Sequence, residues 1–112
     1  MQDLENDAVR VQLGAEVIAA MDAWGTSRDE QRELLGLSRD EWTRVQKQAP
    51  LPLQFEVLER VGHLLALAER YPEDWFRRPV HGKTPVQRML REGLPAMAAL
   101  GAEAPDRREN ET

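Results

Sequence analysis

Cysteine is absent from this chain, so disulfides, thiol nucleophiles and cysteine-based zinc sites are all excluded. Aromatic residues make up only 5% of it: Trp24, Trp42, Trp75, Phe55, Phe76 and Tyr71. No apolar run reaches the length needed to cross a bilayer. The first residues, MQDLENDAVR, are acidic and lack the apolar core of a secretion signal, which points to the cytoplasm and away from membranes. Sustained period-2 alternation of β-branched residues is missing too, so strands are not expected. His63 and His81 stand far from any second histidine at metal-ligand spacing. No acid–base pair, nucleophile triad or complete phosphate loop can be assembled either. The expectation is a non-enzymatic protein with no catalytic residue, metal or cofactor.

What remains is a chain of 112 residues, one domain by length, with a formal net charge of −5. The charge is uneven. Asp3, Glu5, Asp7, Glu16 and Asp22 face only Arg10 in the first 26 residues, and the segment after 101 is again acidic. Both ends read as solvated arms, 1–8 and 102–112. The sign reverses over 70–91, where Arg70, Arg77, Arg78, Lys83, Arg88 and Arg91 outnumber Glu73 and Asp74. An acidic chain with one basic stretch is a poor non-specific nucleic-acid binder.

The pattern of apolar residues and stops predicts an all-α bundle. Val17, Met21 and Trp24 give one face of a first helix over 7–23, ended by Gly25. The tetrapeptide Ser-Arg-Asp-Glu occurs twice, at 27–30 and 38–41. Each copy spells a capping box and so starts a helix. The first such helix runs 28–35 and stops at Gly36; the second runs 39–48 and stops at Ala-Pro-Leu-Pro. A long helix over 53–70 carries Phe55, Leu58, Val61, Leu65 and Ala68 in one stripe, widened by Val57, Leu64 and Leu67. A loop with Trp75, Phe76, Pro79 and Gly82 follows. Thr84, Pro85 and Gln87 then open a short helix, Gly93 closes it, and a last short helix starts near Pro95.

Two short helices joined by Gly36-Leu37-Ser38 have the length and punctuation of a helix-turn-helix. The second would be the recognition helix, with Arg39, Thr43, Arg44 and Lys47, together with Gln46 and Gln48, as the DNA-facing residues. Asp40 and Glu41 at its start would oppose phosphate, and a purely structural pair of helices fits the same residues.

The order of landmarks carries more. Leu34-Leu35-Gly36-Leu37-Ser38-Arg39-Asp40-Glu41-Trp42 precedes Val57-Leu58-Glu59-Arg60-Val61-Gly62-His63-Leu64-Leu65-Ala66-Leu67. Trp75, Pro79, Gly82-Lys83-Thr84-Pro85 and Glu92-Gly93-Leu94-Pro95-Ala96-Met97 come next. This series resembles the Xre/MbcA/ParS antitoxins, partners of RES-domain toxins. The resemblance implies a helix-turn-helix-like region over 9–52 and a toxin-binding domain over 53–101. It also implies an antitoxin that blocks the active site of a NAD-consuming RES toxin, with autorepression through operator DNA. The candidate toxin contacts are Trp75, Arg77, Arg78, His81, Gly82, Lys83, Thr84, Pro85, Arg88 and Gly93. A transcription regulator with no toxin partner is the alternative. A homodimer is expected in either case, since so small a chain with Trp24 and a long apolar stripe has little surface to bury them alone.

Overall fold

A computed structural model describes residues 4–110, with side chains through 102. It is all-helical: α1 (Asp7–Ala23), α2 (Arg28–Leu35), α3 (Arg39–Gln46), α4 (Phe55–Arg70), a 3₁₀ turn (Glu73–Arg77), α5 (Pro85–Glu92) and α6 (Leu94–Asn110). Among the described residues no helix is long and apolar enough to cross a membrane.

The helix starts are set by side-chain caps, as expected. Ser27, Ser38 and Thr84 each accept from the third backbone N–H of their helix, and Glu30, Glu41 and Gln87 reach back to the cap. Gly36 adopts φ +75°, and the Leu37 N–H reaches the Arg32 carbonyl at 3.1 Å. That left-handed step lets α3 leave α2 within three residues. α3 ends earlier than the proline-rich stop predicts. Gln48 turns left-handed at φ +72° and the Ala49 N–H bonds back to Arg44 at 3.0 Å, so the helix closes itself before the prolines are reached.

Three other expectations change. Phe55 is not part of the buried stripe: it is 82% exposed, whereas Val57, Val61, Leu64 and Leu67 of α4 are buried. The buried face is the one that Val57, Leu64 and Leu67 share with Val61, and Leu58, Leu65 and Ala68 lie half-buried at its edge. The stretch around Trp75 is a 3₁₀ turn instead of an irregular loop. The reason given for dimerisation also fails. Trp24 is 2% exposed and the α4 stripe is covered within the chain.

One continuous core joins all the helices. α4 is its strut, packing on α1, α2 and α6. Trp24, at the end of α1, stacks on Phe76 with centroids 3.8 Å apart. Phe76 meets Trp75 edge-on at 4.8 Å, and Trp75 stacks on Tyr71 at 3.5 Å. This ladder of four rings runs from the first helix to the 3₁₀ turn; each such contact adds about 0.5–1.5 kcal/mol beyond area burial.

Buried polar residues fix the angles between helices. Gln31 is fully buried; its amide donates to Asp22 at 2.7 Å and to the Thr26 hydroxyl at 3.2 Å, and its carbonyl accepts from Arg28 at 2.8 Å. Arg10, 8% exposed, donates at 2.7 Å to the Leu51 carbonyl, the Leu4 carbonyl and Asp7. Of the arm read at 1–8, residues 1–3 lie outside the described residues. The remainder is held by Arg10 and by Asn6, whose side chain caps α1. For the tail read at 102–112, the side chains beyond 102 lie outside the described residues, and the α6 backbone continues to Asn110.

Candidate functional site

Two surfaces carry exposed cations. The first is α3. Arg39, Thr43, Arg44 and Lys47 are all exposed, on the side opposite Trp42 and Val45, which anchor the helix in the core. Thr43 donates its hydroxyl to the Arg39 carbonyl at 3.0 Å. Gln46 and Gln48 are exposed beside them.

The acids at the start of α3 are not equivalent. One oxygen of Glu41 accepts from the Ser38 N–H at 2.9 Å, and the other accepts from the Gln54 amide at 2.9 Å. The Ser38 backbone bond, then the Gln54 bond, hold its carboxyl below the ordinary value. The Glu41 charge therefore serves the cap and the α3–α4 junction while staying at the surface. Only Asp40 remains exposed there.

The second surface is a groove of about 610 Å³ between the 3₁₀ turn, the turn at 80–83, α5 and α6. Val80 and Lys83 pair as a minimal bridge, with N–H to O distances of 2.8 and 3.2 Å. His81 and Gly82 lie between them at φ +56° and +84°. Positive φ at both central residues is the type I′ turn, which favours Asn-Gly. Glycine takes this geometry freely, whereas histidine carries a steric cost. The turn therefore holds the His81 side chain out at the groove's edge.

The groove brings together Trp75, Arg78, His81, Lys83, Pro85 and Arg88 from the expected toxin contacts. It adds Val80 and Leu100, which sequence reasoning missed. Leu100 was legible as an apolar helix residue, but nothing local says that α6 folds back against α5. Four expected residues have other places. Arg77 packs over Gly25, where an added Cβ would lie 2.7 Å from its guanidinium. Gly82 forms the turn, Thr84 caps α5, and Gly93 ends α5 at φ +73°. Within the groove, Arg78 pairs with exposed Asp74 at 2.6 Å.

His63 is half-buried and lines a shallow cleft between α4 and α6 with Arg70 and Met97. Among the described residues no group of His, Cys, Asp and Glu is placed to hold a metal.

A capped, turn-linked pair of helices braced by α1 and α4 defines a helix-turn-helix protein. The antitoxin Xre-like helix-turn-helix domain family matches residues 6–66, more than half of the chain, from the cap of α1 into α4. The chain belongs to that family. No curated protein and no solved structure matches it.

Proposed function

We propose that this protein is the antitoxin of a type II toxin–antitoxin pair, a cytoplasmic protein that binds a NAD-consuming RES-domain toxin and blocks its active site. The single observation that carries the reading is membership of the Xre-like antitoxin family over 6–66. The order of landmarks downstream, from Trp75 to Met97, supports a RES-type partner. The groove residues Trp75, Arg78, His81, Lys83, Pro85 and Arg88 are the toxin-facing set in this reading. Arginine and tryptophan are the side chains most enriched where protein partners bind tightly.

Co-expression with the product of the adjacent gene, a RES-domain protein in this reading, tests the proposal. The expected result is a complex that survives purification and suppresses NAD loss by the toxin. A RES protein that stays active and unbound in excess of this chain overturns it.

The exposed face of α3 favours a second role, autorepression, through Arg39, Thr43, Arg44 and Lys47. Operators of such proteins are read by pairs of recognition helices, so this role calls for a homodimer. Leu53 and Phe55, 56% and 82% exposed, supply an apolar patch for a second copy. Light scattering that finds only monomer at micromolar concentration overturns the dimer.

A further inference from the structure

The groove's chemistry narrows what enters it. Arg78, Lys83 and Arg88, with the imidazole of His81, come from three separate elements and border one concavity. The bottom is apolar: Trp75 backed by Tyr71, with Pro85 and the almost fully buried Leu100. Val80, 51% exposed, stands at the edge. Asp74, beside the groove, is held by Arg78. Cations around an apolar floor in a chain of net charge −5 are a local reversal, and cations of one sign converging on a concave site focus their attraction for an anion.

Resting on the antitoxin reading above, we infer that the groove seats an acidic segment of the partner protein, with an apolar side chain on Trp75, Pro85 and Leu100 and flanking carboxylates on Arg78, Lys83 and Arg88. The Arg78–Asp74 pair shows the geometry on a small scale: a carboxylate held at 2.6 Å at the groove's edge. A duplex nucleic acid fits less well. Its backbone offers no apolar anchor for the floor, and the acidic remainder of the chain opposes a long polyanion. The I′ turn contributes by fixing His81 and Lys83 on one side.

The test uses the full chain and the product of the adjacent gene, which the antitoxin reading requires to be a RES-domain protein. Affinity is measured for wild type, for Arg78→Glu with Lys83→Glu, and for Arg78→Lys with Lys83→Arg, at low and high salt. Both positions are exposed, and circular dichroism with a melting curve checks the fold. The reversal is expected to weaken binding about 100-fold, while the charge-conserving pair stays near wild type. Wild-type affinity is expected to fall with salt. Unchanged affinity of the reversal variant beside a binding wild type overturns the inference and leaves the antitoxin reading standing. Loss of operator binding without loss of toxin binding also overturns it, and makes the groove a nucleic-acid surface. No binding by wild type overturns the antitoxin reading itself.

Discussion

The α3 face and the groove present similar charge in different settings. On α3, Arg39 and Arg44 stand on the helix and Lys47 at its C-cap, with polar neighbours and no apolar floor between them. In the groove, Arg78, Lys83 and Arg88 come from a 3₁₀ end, a β-turn and a helix, and surround Trp75, Pro85 and Leu100. A convex row of cations at helical spacing suits a groove lined by phosphates and base edges. A concave ring of cations around an apolar floor suits a protein segment that contributes both charge and bulk. Basic residues alone therefore do not separate the two targets; what lies between them does.

Both surfaces rest on one core, and that is where the largest effect is expected. Trp24 and Phe76 stack across the two regions at 3.8 Å. Truncating either to alanine should cost about 3–5 kcal/mol, a large part of the 5–15 kcal/mol that holds a domain of this kind together. Urea unfolding of Trp24→Ala, followed by circular dichroism and by the fluorescence of the remaining tryptophans, should give one coincident transition at lower midpoint. Two separate transitions would mean that the helix-turn-helix and the groove are independent units.

The next effect separates the surfaces. Replacing Arg39, Arg44 and Lys47 by alanine should abolish a gel shift on the protein's own promoter. Any residual binding should lose about 2.7 from its slope against log salt, if each cation neutralises one phosphate. Toxin affinity should not move. Unaltered DNA binding would remove the recognition-helix assignment, and a parallel loss of toxin binding would mean that the two surfaces are not distinct.

Much of this was legible because it is written locally. Two Ser-Arg-Asp-Glu boxes and the Thr84 box fix three helix starts, and their partners are three residues away. The groove's cations could be collected from sequence because they fall within 75–88. What could not be read depends on distant partners. Arg10 seemed a lone base in an acidic arm, yet it holds the Leu51 carbonyl 41 residues away. Gln31 stands between the charged Glu30 and Arg32 in sequence, and is fully buried where Asp22 and Thr26 meet it from the end of α1 and the turn after it. Phe55 has an apolar side chain at a plausible helical spacing, but only the assembled fold shows that nothing covers it. Asp40 and Glu41 looked alike as obstacles to DNA. Gln54, from the next linker, distinguishes them.

A smaller effect probes the seam between the surfaces. Arg60 of α4 reaches the last carbonyls of α2, at 3.4 Å to Glu33 and 3.3 Å to Leu34, and pairs with Glu56 at 3.0 Å. Its guanidinium also borders Gly36 of the turn and Gly93 at the end of α5. A cation at a helix C-terminus complements the dipole. Arg60→Ala should therefore lower stability by about 1–2 kcal/mol. If the seam is only structural, operator and toxin affinities should be unchanged in conditions where the variant is fully folded. A selective loss of one of them would show that the seam tunes that surface.

The smallest expected effect is the pH dependence contributed by Glu41. Its carboxyl is held below the ordinary value of 4.5, first by the Ser38 N–H and then by the Gln54 amide. A carboxylate with a depressed folded value contributes stability that is fully present above its unfolded value. That contribution is lost as pH falls through the folded value. Stability should thus drop on acidification below about pH 4.5, and Glu41→Gln should flatten that limb by a small amount, since the group is on the surface and solvent screens it. Glutamine keeps a side-chain oxygen for the Ser38 N–H, so α3 should stay capped near neutrality. The same variant sharpens the contrast between the surfaces. If the Glu41 charge is spent on the cap, removing it should leave DNA affinity almost unchanged, whereas Asp40→Asn, which removes an exposed charge from the same turn, should raise it. A larger gain from Glu41→Gln than from Asp40→Asn would mean that Glu41 faces the phosphates after all.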